Sequence, residues 1–330
     1  MARSRATTIA EVAAHAGVSP ATVSRVMNDR FLGEPGIAER VRASALELSY
    51  SPNHLARSFA LGQTNAIAFL VPDLANPAFQ AVLTGLSAAA AASGYRVLVA
   101  DSAESAADEP ILAAEVRRRC DALVLCAPRM SEDDLAQATA SLGPVVLMNR
   151  QSTRVTAPTL AVDSRSGIAS LAQHLYALGH RRLAYVEGPE GVANENRRRG
   201  LADFLADAPD VELVSIPGGR GSEEGLAAVP AVIDSGATAA LAFNDLVAIG
   251  MVHGLVERGV RVPDDISVTG FDDIPFAAAA AVPLSSIRQP SRMIGRTALR
   301  IVLEEAADPD SIPRQTVFPP ELIVRRSTTG

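Results

Sequence analysis

Arg25 closes the stretch SPATVSR, whose side chains divide by size and polarity. On a helix over this stretch, Val23, Val26 and Met27 share an inner face, leaving Pro20, Ala21, Thr22, Ser24 and Arg25 outside. An arginine one turn into such a helix can donate two parallel hydrogen bonds to guanine O6 and N7. Small apolar groups such as Pro20 and Ala21 suit a thymine methyl or a close backbone approach. Further along, polar groups able to hold a small molecule sit where apolar runs end. Asn244 and Asp245 close one run, Asp272 closes another, and Arg150 follows the run PVVLMN. Carboxylates accept hydrogen bonds from paired hydroxyls and arginines donate to them, so such a set suits a polyhydroxylated ligand.

Other chemistries fail at the level of residue types. All 30 basic residues are arginine, which excludes a Schiff-base or P-loop lysine. There is no G-x-S-x-G and no Walker motif. GGRGSEEG comes near a dinucleotide loop, but its third glycine falls one place late, at Gly225. The five histidines lack metal-ligand spacing, and no Ser/His/Asp set is suggested, so no cofactor or metal is expected. Cys120 and Cys126, in CDALVLC, read as reduced core residues.

The elements that must carry these residues follow from pattern and charge. Of the 330 residues, 37 are acidic, giving a net charge of −7. Residues 1–62 run against this balance with seven Arg and five Asp/Glu, a net +2. A small positive head on an acidic body implies that only the head meets a polyanion. In the head, Thr8 is placed to cap a helix carrying Ile9, Val12, Ala13 and Ala16, and Gly17 ends it. Ser19 and Pro20 open the next helix, and a third carries Ile37, Val41, Ala45 and Leu48. Two helices joined by a short turn and backed by a third make a helix-turn-helix. YSPNHLARSFALGQT then reads as a linker too short to hold a helix alone.

From Asn65 onward, apolar runs alternate with amphipathic helices. AIAFLV, YRVLVA, DALVLC and PVVLM form one strand set; TLAV, RLAYVE, VELVSI, AALAFN and ISVTGF form a second. Continuous apolar strands between helices imply parallel sheets covered on both faces, hence two doubly wound subdomains with a ligand cleft at their strand C-termini. No apolar run is long enough to span a bilayer. The N-terminus lacks the apolar core of a signal peptide, so a cytoplasmic chain without membrane attachment is expected.

TTIAEVAAHAGVSPATVSRVMN, YSPNHLARSF, VPDLANPAF, GHRRLAYVEGP, FNDLVAIG, VPDDISVTGFDD, SSIRQP and ELIVRRS together resemble the lactose/galactose-repressor (LacI/GalR) family of bacterial transcription regulators. The resemblance runs in order along nearly the whole chain. It implies an α/β protein: a helix-turn-helix headpiece (1–50), a hinge helix and linker (51–64), and a core like the periplasmic sugar-binding proteins (65–330). That core is expected to have subdomains over about 65–160 and 161–288, with the C-terminal part crossing between them. The resemblance further implies a homodimer on a pseudo-palindromic operator, controlled by a small, sugar-like effector.

The same resemblance assigns roles. Pro20, Ala21 and Arg25 match base-reading positions, and Thr22, Ser24 and Asn28 match phosphate contacts. Asn53, Ala56, Arg57 and Phe59 match the minor-groove hinge, where Phe59 replaces the family's leucine wedge. Phe79, Arg197, Asp245 and Asp272 match effector positions, with Asn244 beside them. Ala78 stands where a second aromatic is common. Arg220 aligns with an aromatic that closes over the sugar, which points to a ligand larger than a hexose or carrying an acidic group. A solute-binding protein would share the core but not the helix-turn-helix, and a sugar-modifying enzyme would need a catalytic pair that the sequence does not offer.

Overall fold

The computed structural model describes residues 7–27, 30–50, 63–152, 154–308 and 312–328. Asn28 and the hinge positions Asn53, Ala56, Arg57 and Phe59 lie outside the described residues. The chain forms two compact units, Met1–Thr64 and Asn65–Gly330.

In the first unit, α1 (Ile9–Ala16) begins with a capping box. Thr8 Oγ1 accepts from Glu11 N at 3.3 Å, and Glu11 Oε2 accepts from Thr8 N at 2.7 Å. Gly17 ends the helix at φ 65°, a left-handed conformation that costs glycine little. α2 (Pro20–Met27) starts on Ser19, whose Oγ accepts from Thr22 N at 3.2 Å. α3 (Pro35–Glu47) completes the unit. Val12, Ala13, Ala16, Val23, Val26, Val41 and Ala45 form its core, and Ile9, Val18, Met27 and Leu48 pack against them.

The second unit holds two parallel sheets. Its strands are β1 (Ala66–Val71), β2 (Arg96–Asp101), β3 (Ala122–Cys126), β4 (Val145–Met148), β5 (Thr159–Val162), β6 (Arg182–Val186), β7 (Glu212–Ile216), β8 (Ala239–Ala242), β9 (Ser267–Thr269), β10 (Ser286–Arg288), β11 (Gln315–Phe318) and β12 (Glu321–Ile323). The first sheet has the order β11-β5-β4-β3-β1-β2 and the second β7-β6-β8-β9; β10 and β12 pair antiparallel. The fully buried runs IAFLV in β1 and ALVLC in β3 face apolar clusters on both sides of the first sheet, as expected for strands covered by helices. Cys120 and Cys126 are free and buried.

One strand sits elsewhere than its order in the sequence suggests. TLAV, expected to open the second set, is β5, which pairs with β4 through Leu147 and Thr159 and with β11. An apolar strand carries no mark of which sheet it joins. The second sheet therefore starts at β6, and the chain leaves the first sheet after Val162.

Between the strands run α4 (Pro77–Ala92), α5 (Glu109–Arg117), α6 (Glu132–Ser141), α7 (Ser164–Ala177), α8 (Val192–Asp207), α9 (Ser222–Asp234), α10 (Asp245–Glu257), α11 (Pro275–Ala279) and α12 (Ser291–Ala307). The chain passes between subdomains after β5, between β10 and α12, and between β11 and β12. α12 lies tightly on α4: a Cβ on Gly85 would stand 2.1 Å from Arg292 O, and one on Gly295 2.1 Å from Val82 O. Only glycine allows these helices so close.

Candidate functional sites

On α2, Val23 and Val26 are buried, Pro20, Ala21 and Arg25 are exposed, and Thr22 and Ser24 are half-buried. Arg25 Nε donates to Ala21 O at 3.3 Å, which lays its guanidinium along the outer face beside Pro20 and Ala21. The structure thus brings the three base-reading candidates onto one exposed face. Thr22 Oγ1 lies 3.0 Å from Ser19 Oγ at the same helix start.

In the second unit, a cavity opens between the subdomains where the strands end. Asn76 and Phe79 line it after β1, Glu104 after β2, Arg129 after β3 and Asn149 after β4. From the other side come Arg197 on α8, Arg220 after β7, Phe243 and Asn244 after β8, and Asp272 after β9. Gln289 lines it from the crossing segment. Of the sequence-assigned residues, Phe79, Arg197, Arg220, Asn244 and Asp272 meet here; Asp245 and Arg150 do not.

Arg197 is 4% exposed. Its guanidinium carbon lies 4.1 Å from the Phe243 ring centre and 4.0 Å from that of Phe271, a desolvated cation between two aromatic faces. Nη1 donates to Phe243 O, whereas Nε is buried with no hydrogen-bond partner among the described residues. Burial lowers its pKa, opposed by Tyr185, Asp272 and Asp245. Asp272, at φ 111°, accepts from Gln289 Nε2. Burial pushes its carboxyl up to about 6, against the pull of Arg197 and Gln289. The Asp272 carboxylate can accept from hydroxyls and the under-bonded guanidinium can donate to them.

Asp245 sits behind this wall and is fully buried. It accepts from Ser286 Oγ at 2.6 Å and Ile274 N at 2.7 Å, so both oxygens are engaged within the protein. Burial, reinforced by Asp272 and Asp273, pushes its carboxyl up to about 8, while these two hydrogen bonds oppose the shift. Because Asn244 caps α10, with Oδ1 accepting from Val247 N at 2.9 Å, Asp245 falls in the first turn, its carboxylate bonded to Ile274 and Ser286 rather than lining the cavity. Asn244 Nδ2 donates to Arg220 O at 2.8 Å, fixing the loop that carries Arg220. Arg150 borders an adjoining outer chamber and is paired with Glu132 at 2.7 Å.

Glu104, Arg129, Asn149, Phe243 and Gln289 were not singled out from the sequence. All but Gln289 directly follow strands of the two sheets, the position where α/β sheets hold ligands, so inspecting every strand end would have found them. Arg129 is held by Glu109, a buried carboxylate that accepts from Arg129 N at 2.6 Å, Met130 N at 2.7 Å and Ser102 Oγ at 3.1 Å. Among the described residues, no cluster of three or more His, Cys, Asp or Glu is arranged to hold a metal ion, and no helix is long and apolar enough to cross a membrane.

Residues 8–53 match the bacterial regulatory proteins of the lacI family, and residues 172–328 match a periplasmic binding protein-like domain. The HTH-type transcriptional regulator MalR of Streptomyces coelicolor is 32% identical over 98% of this chain and 97% of its own length. The chain belongs to the LacI family. It is accordingly a transcriptional regulator with a helix-turn-helix unit and a periplasmic-binding-protein-like core. Among solved LacI-family structures, the lac repressor dimer bound to operator and an anti-inducer superimposes with a TM-score of 0.88 at 25% identity, covering 99% of this chain and all (100%) of that one. A complex of the regulator CelR with cellobiose superimposes at 0.72 with 28% identity, covering 97% and 99%.

Proposed function

We propose that this LacI-family regulator binds a pseudo-palindromic operator as a homodimer and that a carbohydrate-class effector in the cleft changes that binding. The observation that carries the reading is Arg197. Its buried, incompletely bonded guanidinium faces a cavity that also holds Asp272, Gln289 and the ring of Phe79. Desolvated donors and acceptors beside an aromatic face suit a ligand with hydroxyls on one side and C–H bonds on the other. CelR solved with cellobiose and the lac repressor dimer solved on operator support the reading. Pro20, Ala21 and Arg25 are assigned to base edges, and Thr22, Ser24 and Asn28 to phosphates. Asn53, Ala56, Arg57 and Phe59 are assigned to the minor groove, with Phe59 as the wedge. Asp245 is assigned to support of the cleft wall.

The effector acts through different affinity for two arrangements of the subdomains, without chemical turnover. Selection of duplexes from a random pool by the full-length protein tests this, repeated with a panel of sugars and sugar acids. A symmetric pair of half-sites, released or strengthened by one class of compound, is expected. Selection of an unsymmetric sequence, indifference to every compound, or consumption of a sugar would overturn it.

A further inference from the structure

Arg220 leaves the second subdomain after β7 and reaches toward the first, where its Nη1 stands 3.9 Å from Glu104 Oε2. At that distance the two groups attract without a hydrogen bond. The Glu104 carboxylate is already taken: Arg129 donates to it from Nε at 2.6 Å and Nη2 at 3.1 Å, a two-pronged pair. Arg129 spends its remaining Nη1 on Ala127 O at 3.0 Å. Two guanidinium groups therefore face the Glu104 carboxylate, and only Arg129 is hydrogen-bonded to it; the other carboxylates nearby are Glu109, buried beneath Arg129, and Asp73 in the cavity lining. Among the described residues the Arg220 side chain donates no hydrogen bond, and it is 47% exposed, so its fork remains available to the cleft. Val192 and Ala193, the first residues of α8, line the same space, and the Gly191 that precedes them supplies no side-chain cap. A helix start of this kind adds to the positive potential. Glu190 borders the outer chamber and is the further carboxylate on that side, while Arg150 there is matched by Glu132.

We propose that the effector carries an anionic group, a carboxylate or a phosphate, and that Arg220 receives it. The inference rests on the preceding reading of the cleft as the effector site and specifies the ligand class. When the anion arrives it takes the Arg220 donors, and Glu104 keeps its two bonds to Arg129, so no carboxylate is stranded. A neutral hydroxyl has no such gain to offer, because it would compete with water for the same donors. Since Arg220 and Arg129 belong to different subdomains, the anion replaces Glu104 as the charge that draws Arg220 across the mouth, coupling ligand charge to closure.

Calorimetric titration of the full-length protein with matched probes tests this: glucose against glucuronate and glucose 6-phosphate, galactose against galacturonate, ribose against ribose 5-phosphate. In at least one pair the anionic member should bind about tenfold or more tightly than its neutral partner. The pairs separate carboxylate from phosphate. In Arg220→Gln that ratio should fall to near one, and in Glu104→Gln it should rise, because the competing carboxylate is gone; thermal melting checks that both variants fold. Neutral sugars that bind and shift operator affinity while every acid is refused would overturn this proposal alone. A ratio unchanged in Arg220→Gln would do the same. Failure of both classes to bind or to alter operator affinity would overturn the effector-site reading and this inference with it.

Discussion

Asp245→Asn separates a supporting residue from a ligand contact. The wild-type carboxyl is pushed up to about 8 in the folded protein, chiefly by burial, while the unfolded chain ionises near the ordinary aspartate value of 3.8. The folded state therefore holds a proton that the unfolded state lacks, so stability falls as pH rises toward 8 and levels off beyond it. Between pH 7 and 8 the folded group goes from mostly protonated to half ionised, which amounts to about 1 kcal/mol of lost stability. Asp245 dominates this window; His174 and His180, whose pKa values burial lowers from 6.5, add only a small opposing rise near its lower end. Asp272 titrates below it, near 6, and the two buried thiols, raised to about 11 and about 12, matter only where free thiols ionise, near 9. The asparagine can still accept from Ile274 N, and its amide can donate to Ser286 Oγ, which has lone pairs to receive it. The variant should fold with little loss at pH 7 and show no such decline. Urea unfolding at pH 7, 7.5 and 8 measures both slopes. A wild-type midpoint that is flat or rising across this range, or a slope surviving in Asp245→Asn, would refute the reasoning.

Arg25→Ala should weaken operator binding by roughly 1–3 kcal/mol per half-site and relax preference at one symmetric base pair, read by repeating the sequence selection. Arg197→Ala should abolish effector binding in calorimetry while operator affinity without effector stays near wild type, because Arg197 belongs to the other compact unit. Gly85→Ala should destabilise the core by roughly 1–3 kcal/mol or more, because its new methyl would meet the Arg292 carbonyl and force α4 from α12. A thermal melt unchanged from wild type would contradict that close contact.

The sequence was most informative where local chemistry decides structure. Thr8, Gly17 and the Ser19-Pro20 pair mark the ends of α1 and the start of α2 because capping depends on residues a turn away at most. Most strands were legible as apolar runs, but β5 was assigned to the wrong sheet because sheet membership depends on crossings that no local pattern records. Within the cleft, Arg197 and Asp272 were legible from motif and strand end. Asp245 has the same sequence context yet lies behind the wall, because capping by Asn244 puts it in the first turn, bonded to Ile274 and Ser286. Glu104 and Arg129 left no motif: their pairing joins loops 25 residues apart and is visible only once β2 and β3 are placed on either side of β1 at the edge of the cavity.

Effector control of this regulator requires that the cleft and the DNA-binding unit be linked. The most direct measurement is operator affinity at fixed salt, with and without a saturating cleft ligand, for wild type and Arg197→Ala. Linkage of ordinary strength, roughly 1–3 kcal/mol, predicts a 5- to 150-fold shift in Kd for wild type, and for the variant no shift from an equal unliganded affinity. A ligand that binds the wild-type cleft and leaves operator affinity unchanged, or an equal shift in Arg197→Ala, would contradict it.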